Sequence, residues 1–203
     1  MCGIERFKGL TRLLYLFAML IGATAPVVAQ TQNRIDIVGE NTNDYMANSG
    51  QISMPDAFTI GVSAQFNDGN GTSSGHTRVF TWNGTAWVQK GSDINGPGSN
   101  YFDGATVYMP DVNTIAIGNT GPSGATQQRG MARVFEWNGS AWVQKGQSII
   151  GENVDDQAGY VTMADANTLA IGSDKNDDNG NNAGQLRIFT YNGSTSMWEQ
   201  KGG

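Results

Sequence analysis

The sequence has only one cysteine, only one histidine and few charged residues, 15% in all. Each shortage excludes something. Cys2 lies at the extreme N-terminus, so the rest of the chain cannot be held by disulfides. His76 stands alone, with Met131 and Gln185 at the matching positions further along, so no His-centred metal site and no His-activated nucleophile is read. What the chain has in plenty is glycine, 28 of 203 residues, together with Asn, Asp, Ser and Thr, a composition that suits short strands joined by polar turns rather than helices.

The first 29 residues differ from the remainder. Arg6, Lys8 and Arg12 precede an apolar run from Leu13 to Ile21, and Val27, Val28 and Ala29 supply a small-residue cleavage pattern. This is the pattern of a secretory signal peptide cut near Ala29, which places the mature protein outside the cytoplasm, secreted, periplasmic or at the cell surface. A retained anchor is the competing reading, but Gly22 and Pro26 break the run before the roughly 20 residues that a spanning helix needs. The leader holds three of the 12 basic residues and one of the 18 acidic ones, so the remaining chain carries a net charge of −8. Such a surface repels nucleic acid and anionic lipid and tolerates cations.

One stretch organises the rest. VFTWNGTAWVQKG, from Val79 to Gly91, returns as VFEWNGSAWVQKG from Val134 to Gly146 and, loosened, as IFTYNGSTSMWEQKG from Ile188 to Gly202. Each copy alternates apolar and polar residues into an Asn-Gly pair (Asn83-Gly84, Asn138-Gly139, Asn192-Gly193), the signature of a hairpin with a type I′ turn. Aligning the hairpins divides the chain into repeats at 39–94, 95–149 and 150–203, within one repeat domain from 30 to 203, where 30–38 resembles the tail of a preceding repeat. Four strands are expected per repeat. QISM, TVYM and YVTM come first, then TIGVS, TIAIG and TLAIG, apolar on both faces and suited to a sheet covered on both sides. The hairpin supplies the third and fourth. Asp56, Asp111 and Asp165 align in the turn between the first two strands, where Asp bonds the backbone two residues on. On the third strand Arg78, Phe80 and Trp82 share a face, as do Arg133, Phe135 and Trp137, and Arg187, Phe189 and Tyr191. An Arg in every repeat is expected to stack on an aromatic ring or to pair with a turn Asp.

The recurring unit G-x-V-x-M-x-D-x-N-T-[IL]-A-I-G, followed by a loop such as NDGNG (67 to 71) and then by [RH]VF-x-WNG-x-AWVQKG, resembles the FG-GAP repeat of integrin α-subunits and of many secreted microbial proteins. The likeness runs from about Gly39 to Gly203. It implies an all-β fold in which three four-stranded antiparallel repeats form a partial β-propeller, and a role in extracellular adhesion or ligand binding, with calcium in some blade loops. Three repeats fall short of the usual minimum of four blades, so the resemblance also implies a homo-oligomer or a longer repeat array. A closed threefold, β-trefoil-like fold is the alternative on strand counting.

Asp174, Asn176, Asp178 and Asn182 stand at relative positions 1, 3, 5 and 9 of the third-repeat loop, the oxygen spacing of a calcium loop in the family these repeats resemble; the bland reading is a solvated turn. The first-repeat loop keeps Asn67, Asp68 and Asn70, and the second, NTGPSGATQQRG, has no acid. Trp87, Trp142 and Trp198 occupy matching sites beyond the turns, where exposed rings would bind glycans and inward rings would be core between sheets. Asp155 and Asp156 are adjacent acids, but neighbours on a strand face opposite ways, and no catalytic set is read here. The expectation is a secreted, non-catalytic binding or adhesion module whose partner is an extracellular protein or a glycan.

Overall fold

A computed structural model describes residues 36–121 and 129–202. The leader (1–29), residues 30–35 of the N-terminal remnant and most of the loop NTGPSGATQQRG lie outside the described residues. Within them the chain is all-β, with fourteen strands and no helix.

Three antiparallel sheets follow the three recurrences of the hairpin. The first joins β1 (Ile52–Asp56), β2 (Thr59–Ala64), β3 (His76–Trp82) and β4 (Trp87–Gln89) in chain order, and β5 (Ile94–Asn95) also pairs with β3. The second repeats this plan with β6 (Thr106–Asp111), β7 (Thr114–Asn119), β8 (Met131–Trp137), β9 (Trp142–Gln144) and β10 (Ile149–Ile150). The third has β11 (Ala158–Asp165), β12 (Thr168–Ser173), β13 (Gln185–Asn192) and β14 (Met197–Gln200). All pairing stays within a sheet, and no barrel closes among the described residues. The two-residue strands β5 and β10 were not expected. They form because His76 and Met131, at the heads of β3 and β8, reach beyond the short fourth strands and leave backbone groups for the tail of the repeat to satisfy.

Sheet packs on sheet through alternate side chains. From β7, Ile115 and Ile117 enter a core with Val79 and Ile94 of the first sheet, while Ala116 faces the third sheet with Ala132 and Val134, against Leu169, Ile171 and Phe189. This is why the second strands carry apolar residues on both faces. β12 departs from the pattern, alternating between buried and half-buried, because its outer face meets no further sheet among the described residues. The sheets come closest at their first strands, with β1 beside β6 and β6 beside β11. There Val107 N–H donates to Gly50 O at 2.9 Å, and Met109 N–H donates to Ser53 Oγ at 2.9 Å. Between β7 and β11, a Cβ on Gly118 would sit 1.9 Å from the backbone oxygen of Gly159, so glycine is what lets the second and third sheets approach this far.

The hairpin turns are not of type I′. Gly84 takes φ +99° and Gly139 φ +99°, whereas neither preceding Asn has positive φ. Trp82 pairs with Trp87 and Trp137 with Trp142, so four residues form each connection. The Asn side chain does the work that a second left-handed residue would have done: Asn83 Oδ1 accepts from Thr85 N–H and Ala86 N–H, both at 2.9 Å. Asn138 does the same for Ser140 and Ala141. In the third repeat the two added residues extend the ladder to Asn192 and Met197, and Ser196 takes the positive φ of +56°.

Candidate functional site

Each recurrent Arg is buried and stacked on its own strand. The guanidinium of Arg78 lies 5.4 Å from the Phe80 ring, that of Arg133 lies 4.9 Å from Phe135 and that of Arg187 lies 5.4 Å from Phe189. Each donates to a carbonyl in the segment that leads into its own sheet, on Val38, Asn95 (β5) and Ile150 (β10), at 2.9, 2.9 and 3.0 Å. The balancing acid changes place. Glu40 serves Arg78 at 3.2 Å, and Glu152 stands 3.7 Å from Arg187. Pro97 holds the corresponding position in the second repeat, and the fully buried Asp103 pairs with Arg133 in its stead. Burial pushes the Asp103 carboxyl above its ordinary range, and Arg133 acts against that shift. The turn acids are not the Arg partners. Asp56, Asp111 and Asp165 accept from Phe58, Asn113 and Asn167 N–H at 2.8, 2.7 and 2.8 Å, two residues on.

The tryptophans lie at the junctions between sheets. Trp142 Nε1–H donates to Lys90 O, and Trp198 Nε1–H to Lys145 O, both at 2.7 Å. The lysine side chains cross the same junctions. Lys90 Nζ lies 5.3 Å from both the Trp137 and Trp142 rings, and Lys145 Nζ lies 4.8 Å from Tyr191. Trp198 is only 3% exposed, so it offers no face to a sugar. Trp87, half-buried and tilted against Trp82 at 5.6 Å, belongs to the first sheet, and no cation covers it among the described residues.

The calcium-spaced residues are only partly brought together. Asn176 is buried, and its Nδ2–H points at Asp178 Oδ2 at 3.3 Å and Asp156 Oδ1 at 3.4 Å, while its Oδ1 accepts from Asp178 N–H. Asn182 turns instead to Asp177, whose Oδ1 accepts its N–H at 2.6 Å. Among the described residues, no hydrogen bond joins Asp174 or Asn182 to the Asn176–Asp178 pair. The first-repeat loop is built alike: Asn67 donates to the buried Asp44 at 2.9 Å, and Asp68 accepts from Ser73 at 2.7 Å. Asp156 is thereby a buried loop anchor, accepting also from Asn153 N–H, and Asp155 is an exposed turn residue with φ +72°.

Beside the first-repeat loop, Asn41, Thr42, Asp44, Tyr45, Phe66, Asp68 and Thr72 line an open polar hollow. Its aromatic rim is braced edge to face, Tyr45 on Phe66 at 5.4 Å and Phe66 on Phe102 at 5.3 Å. Tyr45 remains 60% exposed.

One cluster was missed by sequence reasoning. His76 is buried between Glu40 and Asp93, residues far from it in the chain. Loss of solvent lowers the imidazole pKa below 6.5; Asp93 opposes this, Arg78 adds to it, and Glu40 opposes it. The only signal in the sequence was that the position is not repeated, being Met131 and Gln185 in the other repeats.

No protein-family model matches the chain, and no curated protein sequence is significantly similar to it.

Proposed function

We propose that this chain is a secreted, non-catalytic binding or adhesion module built from FG-GAP-like, propeller-type repeats, with an extracellular protein or glycan as its ligand. The observation that carries the reading is the hollow beside the first-repeat loop, lined by amide, carboxylate and hydroxyl side chains together with the exposed Tyr45. Concave sites that combine a few fixed polar groups with an aromatic wall are the usual form of small-ligand recognition. The loops between second and third strands differ from repeat to repeat, and a rigid scaffold with variable loops is where binding residues concentrate.

Carbohydrate binding is the second reading, favoured by the same mixture of amide, carboxylate and hydroxyl groups beside a phenol ring. It places the sugar at Tyr45 rather than at Trp142 or Trp198, whose indole N–H groups are engaged. The outer face of the third sheet supports association with a further repeat, in a second copy or in the same polypeptide. Leu186 is 67% and Ile188 39% exposed there, whereas the aligned Ala132 and Val134 are buried.

Screening the purified chain and its Tyr45→Ala and Asp68→Asn variants against glycans and extracellular matrix proteins tests the reading. Binding that either substitution abolishes is expected. Hydrolysis of glycans or esters at enzyme-like rates would overturn it.

A further inference from the structure

His76 opens β3 with its side chain 2% exposed. Its Nδ1 faces Asp93 Oδ2 at 3.5 Å and Glu40 Oε2 at 3.8 Å, and the imidazole forms no hydrogen bond among the described residues. The buried imidazole thus faces two carboxylates at 3.5 and 3.8 Å and closes a hydrogen bond with neither.

The carboxylates are already oriented. Glu40 accepts from Arg78 at its other oxygen, Oε1, at 3.2 Å, and Asp93 Oδ1 accepts from the Gln89 amide at 2.7 Å. Each therefore presents one committed and one free oxygen, and the free ones converge on the imidazole. Outer hydrogen bonds of this kind hold the ligands of metal ions in place. All three ligand atoms lie within 4.8 Å of one another. A tetrahedral ion with bonds of about 2.0–2.1 Å spaces its ligands about 3.3 Å apart, closer to the observed separations than a hydrogen bond of about 2.8 Å is. Glu40 and Asp93 are 41% and 29% exposed, so an ion can reach the site from solvent.

The other repeats show what the position does without these ligands. In the third, Gln185 Nε2–H donates directly to Glu152 Oε2 at 2.8 Å. In the second, Met131, Pro97 and Ser148 stand at the aligned positions and bring no ligand set. The structural devices of the fold recur; this constellation occurs once.

We propose that Glu40, His76 and Asp93 bind a divalent ion of the zinc class, with the fourth coordination position open to solvent. An imidazole nitrogen beside two carboxylates selects zinc, copper or nickel over calcium and magnesium. The ion ties the segment ahead of β1 to the head of β3 and to the turn before β5.

Calorimetric titration of the full chain with zinc chloride alone, paired with the visible absorption of its cobalt(II) form, tests the site. One equivalent of zinc and the intense bands of four-coordinate cobalt are expected. His76→Gln and Asp93→Ser, which install the residues of the third and second repeats, are expected to keep the circular dichroism spectrum and to lose that equivalent. Glu152→Gln is expected to retain it. A wild-type chain that takes up no zinc, or variants that still bind one equivalent, would overturn the assignment.

Discussion

Trp142 donates its indole N–H to the carbonyl oxygen of Lys90 at 2.7 Å, while the Lys90 ammonium crosses back to lie 5.3 Å from the Trp142 ring. One residue thus fastens two sheets by a hydrogen bond in one direction and a cation–π contact in the other. Lys90 Nζ is also held by Val112 O at 2.6 Å and Asn113 Oδ1 at 2.7 Å. Trp142→Phe keeps an aromatic ring and removes the donor, leaving a carbonyl without its partner. The expected loss is about 1–2 kcal/mol, read as a lower urea midpoint, with the same result for Trp198→Phe and a smaller one for Trp87→Phe.

Asp103 and Arg133 form the most deeply buried ion pair of the described residues. Removing the acid alone strands a guanidinium in the core, so Asp103→Ala is expected to cost about 3–5 kcal/mol. The acids of the first and third repeats are partly exposed, and Glu40→Gln and Glu152→Gln are each expected to cost less than about 1 kcal/mol. Chemical denaturation of the three variants side by side checks the order; equal losses would mean that the exposed acids carry as much as the buried one.

Acidification reports on His76. Its folded pKa lies below 6.5, chiefly through burial, so the native state takes up its proton later than the unfolded chain does. The stability this group contributes is complete above pH 6.5 and is lost as pH falls through the folded pKa. Melting temperatures measured with chelator present are expected to fall more steeply below pH 6.5 in the wild type than in His76→Gln. Parallel curves would show that the imidazole titrates alike in both states.

Val134 and Ile188 occupy the same place in successive repeats, one 1% and the other 39% exposed. Val134→Asp buries an unpaired charge and is expected to prevent folding, seen as loss of the cooperative melt. Ile188→Asp is expected to leave the melt within about 1 kcal/mol of wild type. Sedimentation of the same pair tests association through the third sheet: a wild-type oligomer that Ile188→Asp dissolves is the expected result if a second copy covers that face.

Asn67 and Asn176 hold their loops by donating to buried Asp44 and Asp156. Replacing either by Ala is expected to cost about 1–3 kcal/mol, with or without calcium in the buffer. A melting temperature that climbs with millimolar calcium and stops doing so in Asp174→Asn would instead give the third loop to an ion.

The hairpins, the shared face of Arg and Phe, the turn acids and the all-β class were legible in the chain because each rests on local periodicity. Strand side chains alternate with period two, and an Asp or Asn two residues from a free N–H closes a turn wherever it occurs. The turn type was misjudged because Asn-Gly allows two solutions, and the Asn83 side chain selects the one in which glycine alone turns left-handed. What joins one sheet to the next could not be read in this way. That Asp103 takes over for the acid missing at Pro97, that Lys90 lies across Trp142, and that Glu40 and Asp93 meet at His76 are all set by how the sheets and tail segments come together. Such contacts join residues many positions apart, and no spacing along the chain encodes them. Periodicity determined which face each residue presents, and tertiary packing alone decided what each face meets.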